Sequence, residues 1–163
     1  MGVATDSILP SNLTDRLAAS PQSRALGLVL VASHPDVILK IPYRADLVGD
    51  PDTGVIAGGA VTTLLDLACG WATALALTEL TSFATLDLRI DYMRPAEPGR
   101  DLFASAHCYK LTRSVAFLRA VAYDSDPADP VAAAQAAFML DSNAGRGAGA
   151  NLAPAPPRQR PTR

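Results

Sequence analysis

Gly54-Val55-Ile56-Ala57-Gly58-Gly59-Ala60-Val61-Thr62-Thr63-Leu64-Leu65-Asp66-Leu67-Ala68-Cys69-Gly70-Trp71 is the stretch that decides the fold. Two adjacent glycines open an apolar run that continues to about Leu80. A helix of about twenty residues spans roughly 30 Å, the diameter of a small domain. Residues 60–77 are apolar on nearly every side, so the pattern predicts a helix over 58–79 that other elements wrap. The exceptions, Thr62, Asp66, Cys69 and Thr73, recur at spacings of four, three and four and line one narrow face. Asp66 is the only charged residue between Asp52 and Glu79. A carboxylate on such a helix finds a partner, takes a proton or does chemistry. A bond to Thr62 or to a partner's backbone would make Asp66 structural; catalysis is the favoured reading, since functional sites are where awkward carboxylates concentrate.

Downstream of the helix, Leu86, Leu88, Ile90 and Tyr92 alternate with Thr85, Asp87, Arg89 and Asp91. This period of two predicts a strand with one buried and one wet face, Thr85 lying on the wet one. A turn at 94–99 leads to strands over 102–111, 115–123 and 131–140. Thr112-Arg113-Ser114 is a tight hairpin joint, and 124–130 is a loop. Upstream, 11–19 reads as a short helix capped by Ser11 or Asn12 and ended by Pro21. Residues 25–32 and 37–41 read as strands joined through the turn Ser33-His34-Pro35-Asp36, and 43–56 as a polar loop. From Ser142 onward the chain is dominated by Gly, Ala, Pro and Arg and is expected to be a disordered tail. The expected division is a lead-in over 1–23, one domain over 24–141 and the tail over 142–163. A single helix with about six strands, mostly in meander, predicts an α+β layer architecture with a curved, mostly antiparallel sheet. The sheet is expected to curl around the helix and still to leave edges and a side exposed, so at least a dimer is expected.

With 163 residues, 49% of them hydrophobic and 18% charged, the chain suits one globular domain. A net charge of −2 gives no reason to expect nucleic acid or an acidic membrane surface as partner. Asp66 inside the apolar run argues against a membrane span. Cys69 and Cys108 both lie in apolar segments. They form neither a disulfide framework nor a metal spacing, and they suit a reducing cytoplasm. No basic region leads into an apolar run at the N-terminus, so no signal peptide is expected. Nothing basic stands near Cys69 in sequence, which favours a small core residue over a nucleophile.

Three pieces, taken together in this order, carry a family resemblance. They are Gly54–Gly59 with Asp66 seven residues beyond, Ala84-Thr85-Leu86-Asp87-Leu88-Arg89-Ile90-Asp91-Tyr92-Met93-Arg94-Pro95-Ala96, and Tyr109-Lys110-Leu111-Thr112-Arg113-Ser114-Val115-Ala116-Phe117. Over roughly residues 24–141 the sequence resembles the hotdog-fold acyl-CoA thioesterases, in particular their PaaI-like branch. The resemblance implies hydrolysis of an acyl-CoA thioester without a metal or redox cofactor, at a site shared within a homodimer or a dimer of dimers. It implies an oxyanion role for Gly58 beside a substrate-binding Gly59, catalysis by Asp66, and placement of the attacking water by Thr85. Arg94, Lys110, Arg113 and Ser114 match the region where the family holds the CoA phosphates; solvated strand-end charge is the alternative. Elementary geometry agrees with a shared site, since eight helical residues set Gly58 and Asp66 about 12 Å apart. Two family residues are replaced: Ala57 stands where a histidine precedes the glycines, and Pro51 where an asparagine is frequent. These departures keep open a second function, a non-catalytic acyl-CoA binding module acting as sensor or carrier.

Overall fold

The computed structural model describes residues 19–141 and Asp15. In chain order these form α1 (Pro21–Leu26), β1 (Val29–Ala32), β2 (Val37–Ile41), a 3-10 turn (Ala45–Leu47), β3 (Val48–Asp50), β4 (Val55–Ile56), α2 (Gly58–Ala76), β5 (Phe83–Tyr92), β6 (Leu102–Leu111), β7 (Val115–Tyr123) and β8 (Ala132–Leu140). Six strands make one antiparallel sheet in the order β1-β2-β6-β7-β8-β5, with β5 at one edge. β3 and β4 form a separate two-stranded ribbon. α2 packs on one face of the sheet, chiefly against β6 and β7 and also against β2, β8 and β5. One long helix against a six-stranded antiparallel sheet is the hotdog arrangement.

The strands alternate as their partners require. Leu39, Ile41, Leu102, Ala104, Ala116, Leu118, Ala122 and Ala132 point inward and are almost fully buried. They pack with Leu64, Leu65, Ala68, Cys69 and Trp71 of α2 in one core. Ala132, Ala134 and Ala136 on the inner face of β8 let the helix approach closely, while Phe138 fills the space beside Gly70. By length and composition α2 could cross a membrane, but half of that window is buried inside this protein.

Coverage of α2 is one-sided. Val61, Leu64, Leu65, Ala68, Trp71 and Ala72 are buried, whereas Thr62, Thr63, Asp66, Leu67 and Gly70 are only half-covered and Gly58 and Gly59 are exposed. A helix expected to be wrapped thus keeps one open face, because a single six-stranded sheet reaches only part of its circumference. The helix also stops at Ala76, short of residue 79. Leu77 turns to extended backbone, and Thr78, Glu79 and Leu80 are exposed, with nothing to bury another turn against.

Further expectations need correction at the N-terminal side. Pro21 opens a helix instead of ending one: it occupies the first turn of α1, and the Ser20 hydroxyl caps it by accepting from the Ser23 N–H. The helix expected over 11–19 lies mostly outside the described residues. The strand expected over 25–32 is confined to Val29–Ala32, since Ala25 and Leu26 complete α1 and Gly27 takes the left-handed C-cap. The expected domain start at residue 24 falls within α1. The expected loop 43–56 holds the 3-10 turn and the β3–β4 ribbon. Asp50 organises the ribbon's turn, accepting from Asp52 N–H and the Thr53 hydroxyl, while Gly54 supplies a φ of 76°. The tail expected over 142–163 lies outside the described residues.

Strand β5 departs from its simple period. It pairs with β8 through Thr85↔Phe138 and then Asp87↔Ala137, leaving Leu86 as an unpaired bulge residue. The bulge reverses the phase. Thr85 joins Leu88, Ile90 and Tyr92 on the helix side, and Leu86 is thrown out to 55% exposure. Of the face expected to be buried, Leu88 and Ile90 are half-buried and Leu86 and Tyr92 are exposed along this edge strand.

Candidate active site

The site builds on α2 and the edge strand beside it. The Asp66 carboxylate, half-exposed on the open face of α2, accepts a hydrogen bond of 3.0 Å from the Thr85 hydroxyl. Thr62 does not bond Asp66; its hydroxyl lies 2.8 Å from the Tyr92 hydroxyl. Cys69 and Thr73, expected on the same stripe, are fully buried because the sheet covers that end of the helix. Burial, with the Asp66 charge adding to it, pushes the Cys69 thiol up to about 12, so it is neutral and unreactive.

At the other end of the site, Ala57 is the N-cap of α2 and offers no side-chain cap. Its carbonyl accepts from Ala60 and Val61. The Gly58 and Gly59 N–H groups precede the first helical hydrogen bonds and carry the positive end of the helix dipole. Neither glycine is needed by its own chain, since neither has a positive φ. A Cβ on Gly58 would meet the Tyr92 hydroxyl at 3.5 Å, an ordinary contact, and one on Gly59 would meet nothing within 4 Å. Beside Gly58 lies an open cleft of about 370 Å³ lined by Val55, Ile56, Val61, Tyr92, Met93 and Ala96 among others.

The sheet register separates the candidate residues into two groups. Tyr92, next to Gly58, lies in a row with Ala132, Ala122 and Ala104. Thr85, next to Asp66, lies in a row with Phe138, Ala116 and Leu111, at the end that carries the β6–β7 hairpin. Lys110, Arg113 and Ser114 are exposed around that hairpin, whose turn Thr112 ties through its hydroxyl to Val115. Neither Lys110 nor Arg113 has a carboxylate partner among the described residues. The candidate residues of one chain thus fall into two groups, one with Gly58 and Gly59 and the other with Asp66, Thr85 and the basic hairpin.

Arg94 lines the cleft beside Gly58, but its guanidinium is engaged within the chain. Its Nη1 and Nη2 clamp Asp124 at 2.8 Å each, its Nε reaches Asp129 at 3.1 Å, and Pro95 and Asp129 carbonyls accept the rest. All three nitrogens are engaged within the chain. The Asp124 side chain is 2% exposed, and the Arg94 hydrogen bonds hold its carboxyl well below the usual carboxylate range. This arrangement ties the exit of β5 to the loop before β8 and leaves Arg94 no donor fork for a phosphate. Among the described residues no cluster of His, Cys, Asp and Glu is grouped to hold a metal. Tyr92 was not among the residues singled out in the sequence. Its signal was its place at the end of the β5 inner row, where the strand passes the start of the helix.

The Thioesterase superfamily profile matches residues 53–131, from the ribbon turn to the start of β8. A solved protein of Pseudomonas aeruginosa is 44% identical, with 76% of this chain and 92% of that one covered and a TM-score of 0.69. A solved protein of the thioesterase superfamily is 30% identical, covers 79% of this chain and 93% of its own, and gives a TM-score of 0.68. The phenylacetic acid degradation protein PaaI from Thermus thermophilus, solved as a point mutant, is 26% identical over 74% of this chain and 98% of its own, with a TM-score of 0.64. A curated relative, a Halobacterium salinarum protein provisionally named an esterase, is 37% identical over 87 residues. That match takes in 52% of this chain and 56% of the relative, so the chain spans about half the length of the curated relative it matches. The chain belongs to the thioesterase superfamily and has its hotdog fold. Within that superfamily it is PaaI-like.

Proposed function

We propose that this protein hydrolyses acyl-CoA thioesters at sites completed by a second copy of the chain, in the cytoplasm. The observation that carries the proposal is the presence of a hydroxyl-anchored carboxylate, Asp66, and of N–H donors at Gly58 and Gly59 that precede the first helical hydrogen bonds, all on a helix face its own sheet leaves open. In one chain the two parts are about 12 Å apart by helical rise, too far to act on one carbonyl. A partner whose helix runs antiparallel brings its Asp66 to this Gly58 and its hairpin to the same substrate. The exposed β5 edge, with Leu86 at 55%, Tyr92 at 52% and Met93 at 59%, supports pairing there. Two such dimers joined would give a dimer of dimers.

The chemistry follows from the placement. The Gly58 and Gly59 N–H groups polarise the thioester carbonyl and hold the oxyanion. Asp66, oriented by Thr85, takes a proton from water as its oxygen bonds to the carbonyl carbon. The C–S bond of the tetrahedral adduct breaks, and the departing CoA sulfur receives that proton, leaving free acid and CoA. Attack by Asp66 itself, through an acyl anhydride that water then cleaves, uses the same atoms. Lys110 and Arg113, exposed and without a carboxylate partner among the described residues, meet the CoA phosphates, with Ser114 beside them.

Ala57 and Pro51 favour a second reading. Neither supplies a polar side chain at the helix entrance, so the chain could bind acyl-CoA without turning it over. Incubating the protein with acyl-CoAs of varied chain length and aromatic character, with a thiol reagent to report released CoA, separates the two. Turnover that requires Asp66 supports the hydrolase. Saturable binding without turnover supports the binding module.

A further inference from the structure

The first turn of α2 is built weakly for the task proposed for it. Two consecutive glycines open it, each costing a helix up to about 1 kcal/mol relative to alanine. Its N-cap is Ala57, which makes no side-chain cap hydrogen bond, and a good cap is worth typically about 1 kcal/mol. Such a turn would fray, yet its N–H groups act on a carbonyl only while they hold one direction.

One side chain compensates. The Tyr92 hydroxyl, at the end of β5, donates to the Gly58 carbonyl at 2.7 Å. Since its proton is used there, the Thr62 hydroxyl 2.8 Å away donates to it in turn. The chain Thr62–Tyr92–Gly58 spans the first turn and fastens it to the sheet. Tyr92 itself is 52% exposed, so its packing alone does not explain the anchoring.

We propose that Tyr92 is the positioning residue for the oxyanion donors: its hydroxyl locks the Gly58 peptide, and the Gly58 and Gly59 N–H groups keep their aim because of it. This rests on the thioesterase reading above. The anchor acts from the carbonyl side of the turn, leaving the N–H side open to substrate. A side-chain cap from residue 57 would accept from the N–H of Gly59 or Ala60 and so could compete for one of those donors.

The test is Tyr92→Phe, which keeps the ring and removes only the hydroxyl. With the best acyl-CoA, kcat falls about 10-fold to 100-fold while KM stays within about 3-fold, because misaligned donors lose more in the transition state than in the ground state. Thr62→Val lowers kcat less, and adding it to Tyr92→Phe produces no further loss, since Thr62 acts through the Tyr92 hydroxyl. Amide hydrogen exchange in a peptide covering residues 56–62 speeds up in Tyr92→Phe and is unchanged elsewhere. Wild-type kcat in Tyr92→Phe, alongside an Asp66→Asn protein that has lost turnover, overturns the role of Tyr92 and leaves the thioesterase intact. If wild-type protein turns over no acyl-CoA, the thioesterase reading fails instead. Exchange then decides the anchor: faster exchange in Tyr92→Phe upholds it, and unchanged exchange overturns it.

Discussion

The Thr85 hydroxyl of β5 donates to the Asp66 carboxylate of α2 across 3.0 Å. The bond leaves the remaining carboxylate lone pairs on the open side of the helix, where water or a carbonyl can approach. Asp66→Asn keeps the size of the side chain but can neither accept a proton nor attack. It lowers kcat by about 100-fold to 10,000-fold with little change in KM. Thr85→Val has a smaller effect, and the double variant is no slower than Asp66→Asn. Steady-state kinetics on the three folded variants checks this, and wild-type kcat in Asp66→Asn removes Asp66 from the mechanism.

Sharing of the site between chains has its own test. Asp66→Asn and Gly58→Val each disable every site in their own homodimers. Randomly reassorted mixtures contain half heterodimers, and each of these has one intact site of two. Mixing equal amounts after reversible dissociation therefore restores about a quarter of wild-type turnover. No recovery, with heterodimers demonstrated by mass, places both residues in one chain's site.

Gly59 offers a separation of folding from function. Alanine there meets open space and needs no unusual backbone, so Gly59→Ala leaves the melting temperature unchanged or slightly raised. The added methyl group stands where a thioester must approach the helix entrance. Turnover falls at least about 10-fold by the loss of donor alignment. Thermal unfolding and kinetics on one preparation decide between this and a purely structural glycine.

The Arg94–Asp124 clamp governs stability. Removing one partner of a buried pair leaves the other without compensation, so Asp124→Asn destabilises by about 2–4 kcal/mol, the lower part of the range reflecting the partly exposed Arg94. The Asp124 carboxyl is held low by Arg94 and, more weakly, by the Glu97 N–H, so folding favours its ionised form. That contribution is complete above the unfolded carboxyl value of about 4 and is lost as pH falls through the native one. Denaturant unfolding should show a constant gap between wild type and Asp124→Asn from about pH 5 to 8, closing in acid.

The two cysteines differ in reactivity. Cys69 is fully buried and its thiol is pushed up to about 12, whereas Cys108 is half-buried. A maleimide or iodoacetamide at neutral pH labels Cys108 first and reaches Cys69 only on unfolding. Cys69→Ala leaves kcat within about 3-fold, a loss of packing and not of a nucleophile. Rapid native labelling of Cys69, read by peptide mass, would contradict its place in the core.

The order of elements followed from local pattern. The apolar run after Gly58-Gly59, broken by Asp66, reads as a helix covered by a sheet, and β6, β7 and β8 read as apolar runs bounded by turn residues. Asp66 was legible for the same reason, as the one charge where burial penalises charge. The partner of Asp66 was not. Counting by twos puts Thr85 on the face opposite Leu88, Ile90 and Tyr92, away from the helix. The bulge at Leu86 reverses that phase and brings Thr85 onto Asp66 while Thr62, nearer in sequence, turns to Tyr92. A bulge is set by how β5 registers on β8, some fifty residues away in sequence, and no local period records it. The fate of Arg94 is of the same kind: its charge was visible, but Asp124 and Asp129 reach it only once the β7–β8 loop folds back beneath the end of β5. Local periodicity sufficed for the elements and for the awkward carboxylate, because each depends on a residue's own neighbours. Which hydroxyl orients Asp66, which cation is already engaged and which helix face stays open depend on pairings between distant segments, and only the tertiary structure decides those.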